Sequence, residues 1–316
     1  VIKHWIRTKF PPGHAIRAFR VSKNIVKNPN EADLLIHSRI LECKPTLISR
    51  MGATEAAALS CWYDLKANGS KFDPFSKLYS FVTHKKRFQQ LRDLAGVYPI
   101  DEIQLSNFYL ESINSILNSD ILGCWGEAFT SIENLSLSNK NVALVHHLAT
   151  SPWVLDDLFT PGHWSSALSM KRVLVISPFA KTFEAQYKNL DKVFAGVSIP
   201  NFELVSMVAV LSQGGLEDGK NWSEHLEEMQ REMSRIDFDI ALVSAGSYTN
   251  PLALYAKKMG KVGISCGGEL QLFFGVMGKR WETPGRQTQY VNEWWVRPPE
   301  ESRPKNWKEI EDGCYW

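Results

Sequence analysis

The sequence predicts an α/β fold in which a mostly parallel sheet carries helices on both faces. From about Pro45 onward, short apolar runs alternate with helix-period patterns, the arrangement of βαβ units. Arg172-Val173-Leu174-Val175-Ile176 is a continuous β-branched run, as expected of a strand buried on both faces. Hydrophobic residues make up 44% and charged residues 22% of the 316, a mixture that can bury one sizeable core or two smaller ones and excludes a disordered chain.

The elements follow in order. Thr46-Leu47-Ile48-Ser49 reads as the first strand, Arg50-Met51-Gly52 as a turn, and the Ala-rich run from Thr54 as a helix start. Asp120-Ile121-Leu122-Gly123-Cys124 is a second strand that ends in Trp125-Gly126-Glu127. Between them, about residues 72–118, lies a mostly helical insertion with Leu110, Ile113 and Leu117 at helical spacing. After the 172–176 strand and Ser177-Pro178-Phe179, a helix is expected over about Thr182 to Phe194, then a strand from Phe202 to Val208. Leu226, Met229, Met233 and Ile236 form one buried helix stripe. Asp239 to Val243 and Lys261 to Ser265 are further strands. Between them Asn250-Pro251 opens a helix, with Asn as the cap and Pro at the first helical position. From about Arg280 the Pro- and Trp-rich tail is expected to wrap the domain without regular structure. The predicted organisation is a basic arm or helix over residues 1–40 and a single α/β domain over 41–316, with no internal repeat.

Charge is balanced overall, +2 from 36 Lys+Arg and 34 Asp+Glu, but residues 1–30 hold seven Lys/Arg and no acid. Ile16, Phe19, Ile25 and Val26 approximate one face of a helix there, with Arg17, Arg20, Lys23 and Lys27 around the others. Such a helix either lies on anionic lipid or docks on its own domain. No apolar run approaches the ~20 residues of a membrane span, and no signal-peptide pattern is present, so a cytoplasmic protein is expected, with peripheral contact at the inner membrane face through the arm. The five cysteines, an odd number without C-x-x-C spacing, argue against a disulfide framework or a zinc knuckle.

In open parallel sheets, ligands bind outside the carboxyl ends of the strands. The residues that follow each strand therefore list the candidate site. Ser244-Ala245-Gly246-Ser247-Tyr248-Thr249-Asn250-Pro251 joins a small-residue turn to a helix N-terminus, which suits a diphosphate; a tight turn without a ligand explains it as well. Gly267-Gly268-Glu269-Leu270-Gln271 repeats the arrangement with a carboxylate, either a sugar ligand or base or a first-turn acid. Arg50 and Glu55 flank Gly52, with Arg50 suited to phosphate and Glu55 to a sugar, a metal or a proton; an Arg50–Glu55 ion pair fixing the loop is the alternative. Glu127 is a further carboxylate, Trp125 a flat platform for a sugar ring, and Lys279-Arg280 a cationic pair for phosphate or a solvated turn. Ser177 completes the phosphate-facing set. Gln186 and Tyr187 read as packing residues, and the adjacent His146 and His147 as structural.

Several chemistries lack their motif: G-x-G-x-x-G for a dinucleotide, G-x-x-x-x-G-K-[ST] for a P-loop, G-x-S-x-G for a hydrolase and any groove-entering element for nucleic acid.

Arg50-Met51-Gly52-Ala53-Thr54-Glu55, Ser177-Pro178-Phe179, Gly246 to Leu252, Gly267 to Gly275, Gly278-Lys279-Arg280-Trp281 and Gly313-Cys314-Tyr315-Trp316 occur in this order. Together, over roughly residues 40–316, they resemble a family associated with surface polysaccharides and related to the glycosyltransferase-D (GT-D) fold. The resemblance implies a Rossmann-like sheet that binds a uridine-diphosphate sugar, with an Asp-x-Glu motif after the first strand holding a divalent metal. That motif falls on Ala53-Thr54-Glu55: Glu55 matches and the Asp does not. A manganese or magnesium ion would then have one protein carboxylate and would depend on substrate phosphates, so Ala53 argues against metal dependence.

The function expected is transfer of a sugar from a nucleotide-diphosphate donor to a glycan or lipid-linked acceptor. Glu55, Glu127 or Glu269 would serve the acceptor hydroxyl, and Arg50, Gly52, Ser177, Ser244, Gly246, Ser247, Tyr248, Asn250, Gly267, Gly268, Lys279 and Arg280 the nucleotide and its phosphates. Trp125 and Gln271 would hold the sugar or acceptor. The alternatives are a non-catalytic sugar-nucleotide-binding or assembly subunit, and another Rossmann-like enzyme acting on a nucleotide or sugar phosphate.

Overall fold

The computed structural model describes residues 25–26, 28–68, 84–124, 142–146, 162–215, 218–282, 290–304 and 307–316. Trp125, Glu127, His147 and most of the basic arm lie outside them. Seven strands form one sheet: β1 (Thr46–Arg50), β2 (Ile121–Cys124), β3 (Ala143–His146), β4 (Arg172–Ser177), β5 (Glu203–Val208), β6 (Ile240–Val243) and β7 (Val262–Ser265). Their order is β3-β2-β1-β7-β6-β4-β5, and every pairing is parallel.

The apolar runs explain the sheet's burial. Successive side chains of a strand point to opposite faces, so Val173 and Val175 of β4 enter one core while Leu174 and Ile176 enter the other. Both faces are covered, which is why these strands show no polar alternation.

On the first face lie α1 (Pro29–Leu41), a 3-10 turn (Trp164–Leu168), α4 (Ala180–Tyr187), α5 (Leu190–Val193) and α8 (Leu270–Phe273). On the second lie α2 (Ala53–Asn68), a π-helical turn (Leu91–Ala95), α3 (Glu102–Leu117), α6 (Trp222–Met233) and α7 (Thr249–Lys258). Helix starts follow local chemistry. Asn28 accepts from Asn30 N ahead of α1, and Asp101 accepts from Gln104 N ahead of α3. Asn221 and Glu224 form a reciprocal capping box on α6.

Two expectations change, for the 182–194 helix and for Asn250, and the face of one helix is added. The helix expected over Thr182 to Phe194 starts at Ala180 and breaks between α4 and α5, with Lys188 and Asn189 at the break. In α3, Leu110 and Leu117 are exposed, whereas Leu105, Phe108, Ser112, Ser115 and Ile116 are buried. The buried face combines Leu105, Phe108 and Ile116 with two serines that allow close packing. Asn250 is not the cap of α7: the helix begins at Thr249, and the Asn250 side chain crosses to other elements.

The tail forms short 3-10 turns around buried Trp281, Trp295 and Trp316. Trp316 meets Phe179 edge-on at 5.8 Å, closing the wrap over the α4 end of the sheet. The cysteines at 43, 61, 124, 266 and 314 are all free.

Four adjacent strand ends decide where a ligand can bind. After β1 and β6 the chain leaves to the second face, through α2 and α7. After β7 and β4 it leaves to the first face, through α8 and α4. Neighbouring strands whose continuations diverge open a crevice between them, the topological switch point of α/β sheets.

Candidate functional site

That crevice is a cavity of about 370 Å³ at the carboxyl ends of β1, β7, β6 and β4. It straddles the sheet edge, because Phe108 reaches it from one core and Phe179 from the other.

Arg50 ends β1, is 9% exposed and lines the cavity. Its Nη2 donates to Cys266 O at 2.9 Å and to the Glu269 carboxylate. The ion pair of this loop is therefore Arg50–Glu269, not Arg50–Glu55. Gly267 makes it fit: its φ is +63°, and a Cβ there would stand 2.6 Å from Arg50 Nη2. The Glu55 carboxylate, one turn into α2, lies over Gly52, where a Cβ would come 2.1 Å from Oε2. Glu55 and Gly52 both line the cavity.

After β6, Ser244, Gly246, Ser247 and Thr249 line the opposite wall. Ser247 Oγ accepts from Trp222 Nε1 at 2.9 Å, and Thr249 Oγ1 accepts from Ala245 N at 2.8 Å, so side chains within the turn hold its shape. Asn250 reaches the cavity but acts chiefly as a clamp. Its Nδ2 donates to Arg50 O at 2.9 Å and its Oδ1 accepts from Ser265 Oγ at 2.6 Å, tying α7 to the ends of β1 and β7.

The last wall comes from the tail. Arg280 lies over the Tyr315 ring at 4.8 Å, and both line the cavity. A Cβ on Gly268 would meet Tyr315 Cε1 at 2.9 Å, so the absence of a side chain admits that ring. Gln271, 1% exposed, donates through Nε2 to Tyr315 O at 3.0 Å.

Three expected site residues sit elsewhere. Ser177 is fully buried, and its Oγ accepts from Phe179 N at 3.2 Å within the turn. Tyr248 is buried and stacked on Trp222 at 5.5 Å, its phenol pushed up by burial, so it packs rather than faces a ligand. Lys279 points away, with Nζ donating to Asp312 O at 3.1 Å. Cys266 lies beneath the cavity, and burial raises its thiol to about 12, which removes it as a nucleophile. The packing roles of Gln186 and Tyr187 are visible in the bonds from Gln186 Nε2 to Trp294 O and from Tyr187 Oη to Phe202 O.

Residues outside the sequence-based candidates also line the cavity, among them Leu94 of the π-helical turn, Ser112 of α3 and Gln213 after β5. Gln213 follows a strand end, so the strand-end rule extended to β5 finds it. Leu94 and Ser112 carry no local signal, because helices over the sheet bring them in.

Among the described residues the donor set does not fit a divalent ion. Ala53 offers no ligand, Glu55 is one carboxylate, and among the described residues no three His, Cys, Asp or Glu side chains converge.

Among the described residues, no helix is long and apolar enough to cross a membrane. No curated protein and no solved structure matches the chain. The family model of the GT-D fold-like domain matches residues 35–273, which contain all seven strands and, among the described residues, every one that lines the cavity except Arg280 and Tyr315. With that match spanning most of its length, the chain belongs to the GT-D fold-like family.

Proposed function

We propose that this protein is a glycosyltransferase that moves a sugar from a nucleotide-diphosphate donor, of the uridine type, to a glycan or lipid-linked acceptor in surface-polysaccharide assembly. The observation that carries the reading is the cavity at the switch point, where Arg50, Arg280, Glu55 and Glu269 meet turns of small residues. Transfer breaks the bond between the sugar and the diphosphate, and the departing oxygen takes the electron pair. Arg280, backed by the Tyr315 ring, supplies cationic N–H groups where that charge develops. The acceptor hydroxyl loses its proton as it attacks, and Glu55, which lines the cavity over Gly52, is a carboxylate placed to receive it.

Purified protein tests this with a panel of nucleotide-diphosphate sugars, with and without manganese, scored by donor-dependent nucleotide release. Glu55→Gln should lower the rate about 10²-fold or more while binding persists. No binding and no turnover across the panel overturns the reading. Ala53 and the Arg50–Glu269 pair favour a second reading, a binding or assembly subunit that keeps the cavity without the chemistry. Donor binding without release, unchanged in Glu55→Gln, selects it. The basic arm would hold either protein at an anionic membrane face, tested by sedimentation with anionic against neutral vesicles.

A further inference from the structure

The buried polar atoms in the cavity wall that lack a partner among the described residues include Arg50 Nη1 and Gln271 Oε1. Buried polar groups in folded proteins are almost always bonded, so an unpaired donor and an unpaired acceptor beside one cavity point to a ligand that supplies both. The Gln271 amide orientation follows from its surroundings. Turning it over would set its oxygen against Tyr315 O, so Nε2 faces that carbonyl and Oε1 is the atom left over.

Charge decides what the ligand presents there. The Arg50 guanidinium is already neutralised by the Glu269 carboxylate. A phosphate approaching Arg50 would gain the cation but meet the carboxylate beside it, and the two largely cancel. A neutral hydroxyl meets no such conflict: its oxygen accepts from Arg50 Nη1, and its hydrogen, or that of a neighbouring hydroxyl, is donated to Gln271 Oε1 or Glu269. Arg280, exposed and stacked on Tyr315, is the other cationic side chain among the described residues that line the cavity.

We infer that Arg50, Glu269 and Gln271 form a subsite for the hydroxyls of a neutral sugar ring, and that the anionic part of the ligand is read at Arg280. The inference rests on the sugar-nucleotide reading and divides its ligand between the two ends of the cavity. It also reassigns Arg50 from phosphate to sugar.

Titration calorimetry on the full chain compares uridine diphosphate with uridine-diphosphate sugars. Arg50→Lys keeps the charge facing Glu269 and loses the second N–H fork. It should weaken the sugar-bearing ligand about tenfold relative to the wild type and leave uridine diphosphate within twofold. Arg280→Ala should weaken both ligands alike. Glu269→Gln, checked by thermal melting for folding, should tighten uridine diphosphate by unmasking Arg50 while weakening the sugar preference. Equal losses for both ligands in Arg50→Lys, or no gain for the diphosphate in Glu269→Gln, overturn the inference. If wild-type protein binds no uridine nucleotide, the donor reading fails, and saturation-transfer NMR with methyl glycosides separates the two ideas. Glycoside binding that Arg50→Lys abolishes sustains the hydroxyl subsite, and no glycoside binding sinks it as well.

Discussion

Gly263 stands in the middle of β7, where strands usually prefer a branched side chain. A Cβ there would fall 2.0 Å from Ala253 O, so α7 rests directly on the sheet and the glycine is a contact requirement. Gly263→Ala forces the helix away from the strand and should cost about 3 kcal/mol or more, read as a lowered urea midpoint with the slope unchanged. Asn250 acts through polar contacts: it is buried and holds Arg50 O and Ser265 Oγ. Asn250→Ala leaves both without their bonds and should cost about 2 kcal/mol. Because the clamp fixes the backbone of Arg50, the same variant should weaken donor binding, measurable by calorimetry on protein that still melts cooperatively. The sequence marked Asn250 as special but gave the wrong reason, since a cap and a long-range clamp demand the same side chain.

The turn Trp164–Leu168 illustrates what an element adds. His163 caps it, its Nδ1 accepting from Ser165 N at 3.2 Å. Asp33 Oδ1 of α1 lies 3.9 Å from Nε2, beyond hydrogen-bond reach, and burial together with nearby His37 lowers the imidazole to about 4. The unfolded chain takes up this proton near pH 6.5 and the folded protein only near pH 4, so protons favour unfolding between those values. The stabilisation is complete above pH 6.5 and declines as pH falls, by about 3 kcal/mol at the limit. Melting temperatures from pH 7.5 to 4.5 should therefore fall less steeply in His163→Asn, which retains a cap acceptor without the titration. Among helices, most of the α6 stripe was legible: Leu226, Met229 and Met233 are buried as their spacing required, whereas Ile236 lies beyond the helix end and is partly buried. In α3 the spacing of Leu110, Ile113 and Leu117 gave the helix but not which face meets the sheet, since Leu110 and Leu117 are exposed.

For the whole molecule, the tail beyond the family-matched residues completes the cavity. Trp316 is buried among aromatic rings, and Tyr315 beside it forms a wall. Tyr315→Ala should spare most of the stability and weaken sugar-nucleotide binding about tenfold, or 1.4 kcal/mol. Deleting residues 314–316 should also lose the Trp316 packing, with a fall of about 3–5 kcal/mol in unfolding free energy. A denaturation series paired with calorimetry separates the two outcomes. If Tyr315→Ala binds normally, the tail closes the fold without serving the site.

The sequence by itself determined six of the seven strands, all but β3, and the candidate strand-end residues, since periodicity and turn chemistry are local properties of the chain. It also determined that Ala53 cannot replace a metal-binding Asp, which needs only the identity of one side chain. Tertiary structure decided which candidates face a common cavity. Arg50 pairs with Glu269, 219 residues away, and Tyr315 and Ser112 join the same walls. Those relations depend on β1 lying beside β7 and on neighbouring strand ends sending the chain to opposite faces, and neither leaves a trace in any local stretch of sequence.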